Sequence, residues 1–170
     1  RRFSSPIKAA ISATEFPIIA RVIEPKIRTY LPQSLFHARY RQGYLNRIMM
    51  KDGGVVDILT SEMKDEAYES ADWDFIWCDE PQQRKKYEAL LRGLIDRRGK
   101  MVLTFTPLTE PWMKEDLVDK VDGKMIDCFT ADIRDNRFTI TGESILSSES
   151  IKEFERSIPQ DVRETRIHGK

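Results

Sequence analysis

Two adjacent carboxylates close a run of four apolar residues in Phe75-Ile76-Trp77-Cys78-Asp79-Glu80. Continuous apolarity marks a strand buried in a parallel sheet, and ligands of such sheets bind at the carboxyl ends of the strands. Two acids there can divide the work of nucleotide hydrolysis. Asp79 can hold Mg²⁺ through a water, since magnesium takes oxygen ligands and keeps much of its hydration. Glu80 can orient and deprotonate the attacking water. One helix later, Met101-Val102-Leu103-Thr104-Phe105 is a second apolar strand and runs into Thr106-Pro107-Leu108. A neighbouring parallel strand would carry the hydroxyls of Thr104 and Thr106 to the edge that holds Asp79 and Glu80. Hydroxyls there can bond the water or a phosphate and sense whether the γ-phosphate is present. The alternative is that Asp79-Glu80 merely opens a helix and that the threonines are ordinary strand residues. Each motif alone admits that reading; the pair, one βα unit apart, is less easily dismissed.

Several elements must position these residues. Ile7–Ser12 is expected to be a strand, followed by a helix from Thr14 or Glu15 to Leu31 with Ile19, Val22, Ile23 and Ile27 on one stripe and a kink at Pro25. Ser34–Tyr44 is aromatic and basic without a clear period, and is expected to be a loop or short helix. Lys51-Asp52-Gly53-Gly54 between apolar runs marks a hairpin. Thr60–Trp73 is too acidic and irregular to suggest core. A helix is expected from about Gln83 to Ile95, ended by Arg98-Gly99, with Pro111–Lys120 helical and Lys124–Thr130 a further strand. Short helices at Ser147–Ser157 and Asp161–His168 each carry a capping-box-like start, Ser150-x-x-Glu153 and Asp161-x-x-Glu164. The fold class is therefore α/β, a mostly parallel sheet with crossover helices, over 1–135, with a small C-terminal helical subdomain over 136–170.

Composition narrows the function. The chain has 170 residues, 33% charged and 40% hydrophobic, which is too apolar for disorder. No run of about 18 apolar residues is present to cross a membrane as a helix, and no secretory leader pattern opens the chain. Two cysteines exclude a disulfide scaffold and suit a reducing compartment. Cys78 and Cys128 both read as small core residues, and Trp73, Trp77 and Trp112 as packing residues. His37 and His168 lack neighbours at zinc spacing. Asp116, Asp119, Asp122 and Asp127 form no calcium loop and read as solvent-facing. The formal net charge of zero hides segregation: residues 1–51 hold ten basic and two acidic side chains, and 52–80 hold one basic and ten acidic. Arg39, Arg41, Arg47 and Lys51 lie among Phe36, Tyr40 and Tyr44, and Arg84-Lys85-Lys86 follows the acidic strand. Such blocks suit sequence-independent contact with a polyanion, or are simply solvated faces. Arg41, Arg47, Arg163 and Arg166 could supply an arginine finger, but nothing in the sequence selects one.

Trp77-Cys78-Asp79-Glu80-Pro81, the intervening helix, and Leu103-Thr104-Phe105-Thr106-Pro107-Leu108 together resemble the ATPase domain of the large terminase subunits of tailed bacteriophages. The Gly-Gly hairpin and the Arg163-x-x-Arg166-Ile167-x-Gly169 ending, similar to the lid region before the family's nuclease domain, extend the resemblance over most of the chain. It implies a viral DNA-packaging motor that couples ATP hydrolysis to translocation of double-stranded DNA into a procapsid. Asp79-Glu80 would be its Walker B pair, with Asp79 the magnesium-associated acid and Glu80 the catalytic base. Thr104 and Thr106 would be the coupling hydroxyls. ATP and Mg²⁺ are the implied cofactors. A portal protein, a small terminase subunit and further copies in a ring on the portal are the implied partners, in the host cytoplasm. Two rivals are another P-loop nucleic-acid motor of helicase type and a non-catalytic nucleic-acid-binding or assembly module in which Asp79-Glu80 caps a helix.

One departure from the family pattern is large. A phosphate loop requires Gly-x-x-x-x-Gly-Lys-Ser/Thr between a strand and a helix, because its amides cradle the phosphates. Gly93-Leu94-Ile95-Asp96-Arg97-Arg98-Gly99-Lys100 has one residue too many, continues into Met101 and joins a helix to a strand. By the resemblance the phosphate loop would precede Arg1 and the nuclease would follow Lys170. The 170 residues alone are then expected to bind ATP weakly and hydrolyse little.

Overall fold

Alternating small and apolar residues make Lys8–Ala13 the first strand, β1. The helical segment after it has three parts: α1 (Phe16–Ile18), a π-turn (Ile19–Ile23) and α2 (Glu24–Tyr30). The disturbance expected at Pro25 takes the form of this wide turn, in which the Glu24 amide reaches back to the Ile19 carbonyl. Pro25 then lies in the first turn of α2, where its missing N–H disturbs the ladder least. In this computed structural model residues 6–69, 71–106, 110–139 and 141–169 are described.

Phe36–Arg41 is a strand, β2, rather than a loop or helix, and it pairs antiparallel with β3 (Tyr44–Met50) around a bulge between Arg39 and Tyr40. Phe36 is buried and Ala38 half-buried while His37, Arg39 and Arg41 face out, an alternation that the aromatic and basic composition hides. The expected hairpin joins β3 to β4 (Val55–Thr60): Gly53 adopts φ +89°, and Asp52 Oδ1 accepts from the Gly54 amide at 2.9 Å. β4 then runs parallel to β1, β1 to β5 (Phe75–Asp79), and β5 to β6 (Lys100–Thr104). The order is β2-β3-β4-β1-β5-β6, a mixed and mostly parallel sheet as the sequence suggests.

Helices cover both faces. Ile19 and Ile23 pack with Ala13, Phe36, Leu45, Ile48 and Ile58 on one side. On the other, α3 (Glu66–Glu69) and α4 (Arg84–Ile95) cover Ala10, Leu59, Ile76 and Cys78. Two buried aromatics belong to this second layer, Tyr68 at 0% and Trp73 at 1% exposure, although the 60–73 segment does not look like core in sequence. Trp73 sits so close to α4 that a Cβ on Gly93 would come within 2.7 Å of its ring. β6 departs from the expected burial on both faces. It is the end strand of the described sheet, and Val102 is 45% exposed. Apolar content alone does not distinguish an end strand from a central one.

The chain divides into two compact units, Arg1–Phe105, which holds the sheet, and Thr106–Lys170. The second contains α5 (Pro111–Asp116), two 3₁₀ turns (Val118–Lys120 and Ile133–Arg137), α6 (Ser148–Ser157) and α7 (Gln160–His168). Lys124–Thr130 is not a strand. Asp122 Oδ1 instead accepts the amides of Lys124, Met125 and Ile126 at 2.9, 2.7 and 3.0 Å, a local turn that competes with extended pairing. Those amide bonds hold the Asp122 carboxyl below its ordinary pKa. The cap of α6 is Ser147, which accepts from the Ser150 amide, three residues earlier than the expected box. Helix α7 has Pro159 at its N-cap and no side-chain cap bond. Asp132 caps its own 3₁₀ turn and meets His168 Nδ1 at 2.5 Å. Cys78 is buried as expected; Cys128 is exposed instead. No helix among the described residues is long and apolar enough to cross a membrane.

Candidate active site

Strands β5 and β6 run side by side with Asp79 opposite Thr104, so their carboxyl ends meet in register. Period two along each strand places Trp77, Asp79 and Thr104 on one face. Thr104 Oγ1 accepts a hydrogen bond from Trp77 Nε1 at 2.9 Å and lies 3.1 Å from Asp79 Oδ1, with the Cys78 carbonyl farther off at 3.4 Å. The hydroxyl has one proton to give, and the nearby carboxylate is the stronger acceptor. The indole thus orients the threonine, and the threonine orients one oxygen of Asp79.

Glu80 follows in a left-handed conformation, φ +75°, that side chains with a Cβ rarely adopt. Such a residue costs of order 1–3 kcal/mol and persists only where its surroundings hold it. Its amide donates to the Thr104 carbonyl at 2.7 Å, and its carbonyl accepts from Gln82 Nε2 at 3.0 Å. Although Glu80 is exposed as a residue, partial desolvation of its carboxyl, and then the neighbouring charge of Asp79, push it above its ordinary pKa. A carboxyl raised in this way is a better proton acceptor once ionised. Asp79-Glu80 is not a helix cap, because β5 ends at Asp79 and α4 begins only at Arg84 with Gln83 as its N-cap.

Much of the rest of the acidic block is neutralised by cations from the flanking basic segments. Asp57 pairs with Arg47 at 2.5 Å, Asp65 with Lys85 at 2.5 Å, Asp72 with Lys8 at 2.8 Å and Asp74 with Arg97 at 2.9 Å. Neither Asp79 nor Glu80 has a basic partner among the described residues. Two adjacent carboxylates left without a cation, one with a raised pKa, form a site that an incoming cation would relieve. Among the described residues no group of three metal-ligating side chains occurs. A pair of carboxylates fits magnesium that arrives with a nucleotide, since the ion takes phosphates and waters for its other positions.

Of the four residues singled out in the sequence, Asp79, Glu80 and Thr104 come together at the β5–β6 edge. Thr106 lies two residues beyond β6, half-buried, where the second unit begins. Pro107 and Leu108 lie outside the described residues. Arg47, a candidate finger, is engaged by Asp57. Sequence reasoning missed Ser12, Tyr68 and Gln82, all 0% exposed at this end of the sheet. A serine in a strand and a glutamine ahead of a helix carry no signal of their own.

The model of the family "Terminase large subunit, T4likevirus-type, N-terminal" matches residues 19–170. Three crystal structures of the large terminase from a thermophilic bacteriophage share the fold. One superposes with a TM-score of 0.65 at 14% identity, over 96% of this chain and 39% of that one. The second, in complex with ADP, gives 0.66 at 15% identity over 95% and 39%. The third, with ATP-γ-S, gives 0.63 at 14% identity over 93% and 38%. The chain therefore spans about two fifths of the length of these relatives. No curated protein matches by sequence. With the family model covering most of its length and the sheet superposing on these structures, the chain belongs to the terminase large subunits of the T4-like-virus type, within their N-terminal region.

Proposed function

We propose that this chain is the acidic half of the ATPase site of a viral DNA-packaging motor, which couples ATP hydrolysis to translocation of double-stranded DNA into a procapsid. The observation that carries the reading is the uncompensated Asp79-Glu80 pair, locked to Thr104 at the carboxyl edge of adjacent parallel strands. Family membership and the nucleotide-bound state of two of the thermophilic phage structures support it. In this reading Asp79 holds magnesium, whose charge, when it is bound there, offsets that of the phosphate oxygens. Glu80 orients a water and takes its proton as the water oxygen bonds to the γ-phosphorus, while the bond to the ADP oxygen breaks. Thr104 holds Asp79, and Thr106 lies on the segment that carries the change in phosphate state away from the sheet. The helical segment over 136–170 serves as lid and linker. A portal protein, a small terminase subunit and further copies of the subunit in a ring are the partners, in the host cytoplasm. The full-length subunit also carries a nuclease.

The test uses the full-length subunit with Glu80→Gln. ATP turnover falls by about 10²–10⁴-fold, the usual weight of a general base, while nucleotide binding is retained. Unchanged turnover would remove the assignment. The 170-residue chain alone, lacking a phosphate cradle of its own, binds ATP weakly and turns over little; turnover from it that Glu80→Gln abolishes would overturn that expectation.

A further inference from the structure

Behind Glu80 lies a line of buried polar groups that the reaction as described does not use. Tyr68 Oη is 3.2 Å from Ser12 Oγ, and Ser12 Oγ donates to Gln82 Oε1 at 2.8 Å. Gln82 Nε2 in turn donates to the Glu80 carbonyl at 3.0 Å. The proton directions are determined. Ser12 spends its one proton on Gln82, so Tyr68 must donate to Ser12, and burial raises the Tyr68 phenol to about 12, which keeps that proton in place. The Gln82 amide can then face only one way, oxygen to Ser12 and nitrogen to Glu80. Ser12, Tyr68 and Gln82 are all fully buried, and hydrogen bonds aligned head to tail in a poorly polarisable interior reinforce one another.

We propose that Gln82 is a positioning residue for the ATPase: it ties the Glu80 carbonyl to β1 and so holds Glu80 in the left-handed conformation from which its carboxylate faces the water. The inference rests on the reading of Glu80 as the base. Glu80 is held from two sides, its amide by the Thr104 carbonyl on β6 and its carbonyl by Gln82, which Ser12 anchors to the end of β1. A left-handed glutamate relaxes toward negative φ unless both ends of its peptide are held. Release of the carbonyl lets φ relax from +75°, and that rotation about N–Cα swings the carboxylate. Gln82 is 0% exposed, with its amide spent on Ser12 and on the Glu80 carbonyl. Its effect passes through the backbone.

The full-length subunit with Gln82→Met, close in size but without the amide, tests this. The expected result is a kcat lower by about 10- to 100-fold with KM for ATP within about twofold, the signature of a displaced catalytic group rather than of lost binding. Ser12→Ala gives a smaller loss of kcat in the same sense. Gln82→Met added to Glu80→Ala lowers the rate no further, because both act through one carboxylate. A Gln82→Met enzyme that keeps its kcat, or that loses as much again in the Glu80→Ala background, overturns the proposal. So does a loss that a reduced folded fraction, measured by circular dichroism and nucleotide-binding stoichiometry, accounts for in full. If Gln82→Met does not fold, Ser12→Ala and its combination with Glu80→Ala decide on the same criteria. Full turnover in Glu80→Ala removes the base itself, and this proposal with it. Loss in Glu80→Ala beside full turnover in Gln82→Met removes only the role of Gln82.

Discussion

Gly93→Ala is expected to destabilise the protein although it places the best helix former in the middle of α4. In an open helix the change gains about 1 kcal/mol. Here the added Cβ would lie 2.7 Å from Cε3 and Cζ3 of Trp73 and 2.8 Å from the Ala71 carbonyl oxygen. Neither obstacle can step aside cheaply. Trp73 is 1% exposed, and its amide is bonded to the Gly93 carbonyl at 2.8 Å. Overpacking a tight core costs about 1–3 kcal/mol and occasionally more, and two obstacles at once put this site at the upper end. With the helix gain subtracted, a net loss of about 1–3 kcal/mol remains, or roughly 2–12 °C in melting temperature at 2–4 °C per kcal/mol for a domain of this size. Thermal melting by circular dichroism, with Gly93→Ala against an exposed α4 control such as Arg92→Ala, is the assay. A melting temperature that rises, as for an ordinary helix glycine, would refute the close approach of Trp73 to α4.

Asp74→Asn should cost about 2–3 kcal/mol, because Asp74 is 2% exposed and accepts both Arg97 Nη2 and the Lys8 amide at 2.9 Å; breaking a buried pair costs about 3–5, less what Arg97 keeps through Asp72. Burial acts to raise the Asp74 carboxyl, yet Arg97 and the Lys8 amide outweigh it and leave the pKa below its ordinary 3.8. The ion pair therefore contributes fully above pH 3.8 and is lost as pH falls through the lower, folded value, so acid denaturation of the wild type below pH 3.8 should be steeper than that of Asp74→Asn. Thr104→Val should lower the ATPase rate of the full-length subunit by about tenfold, since a hydrogen bond to a charged group is worth about 1.5–3 kcal/mol and the exposure of Thr104 puts this one at the low end, whereas Thr104→Ser should keep most of it; equal rates for the two would show the hydroxyl idle. In native protein a maleimide should label Cys128 alone, with Cys78 reacting only in denaturant, because burial both shields the Cys78 thiol and raises it to about 12.

The α/β class, the hairpin at Gly53-Gly54, helix α4 and the pairing of an acidic strand with a hydroxyl-bearing one were all legible from local pattern. Each of these signals is carried by near neighbours: apolar runs, turn glycines and helical stripes. The misreadings have the opposite cause. β2 was hidden because its outward face is cationic and its inward face is visible only once β3 lies beside it. Lys124–Thr130 has a strand's composition, but the Asp122 side chain takes up its amides. Tyr68 and Trp73 are buried by α4, which lies well downstream.

At the site, residue order alone placed Asp79 and Glu80 at a strand end and Thr104 one βα unit away. Register, the left-handed turn at Glu80 and the absence, among the described residues, of any basic partner for the two acids were decided in three dimensions. So was the chain from Tyr68 through Ser12 to Gln82, whose members stand 56 and 70 residues apart. The physical reason is range: a sequence shows which groups are near along the backbone, whereas charge compensation and hydrogen-bond direction depend on which groups parallel strands bring side by side.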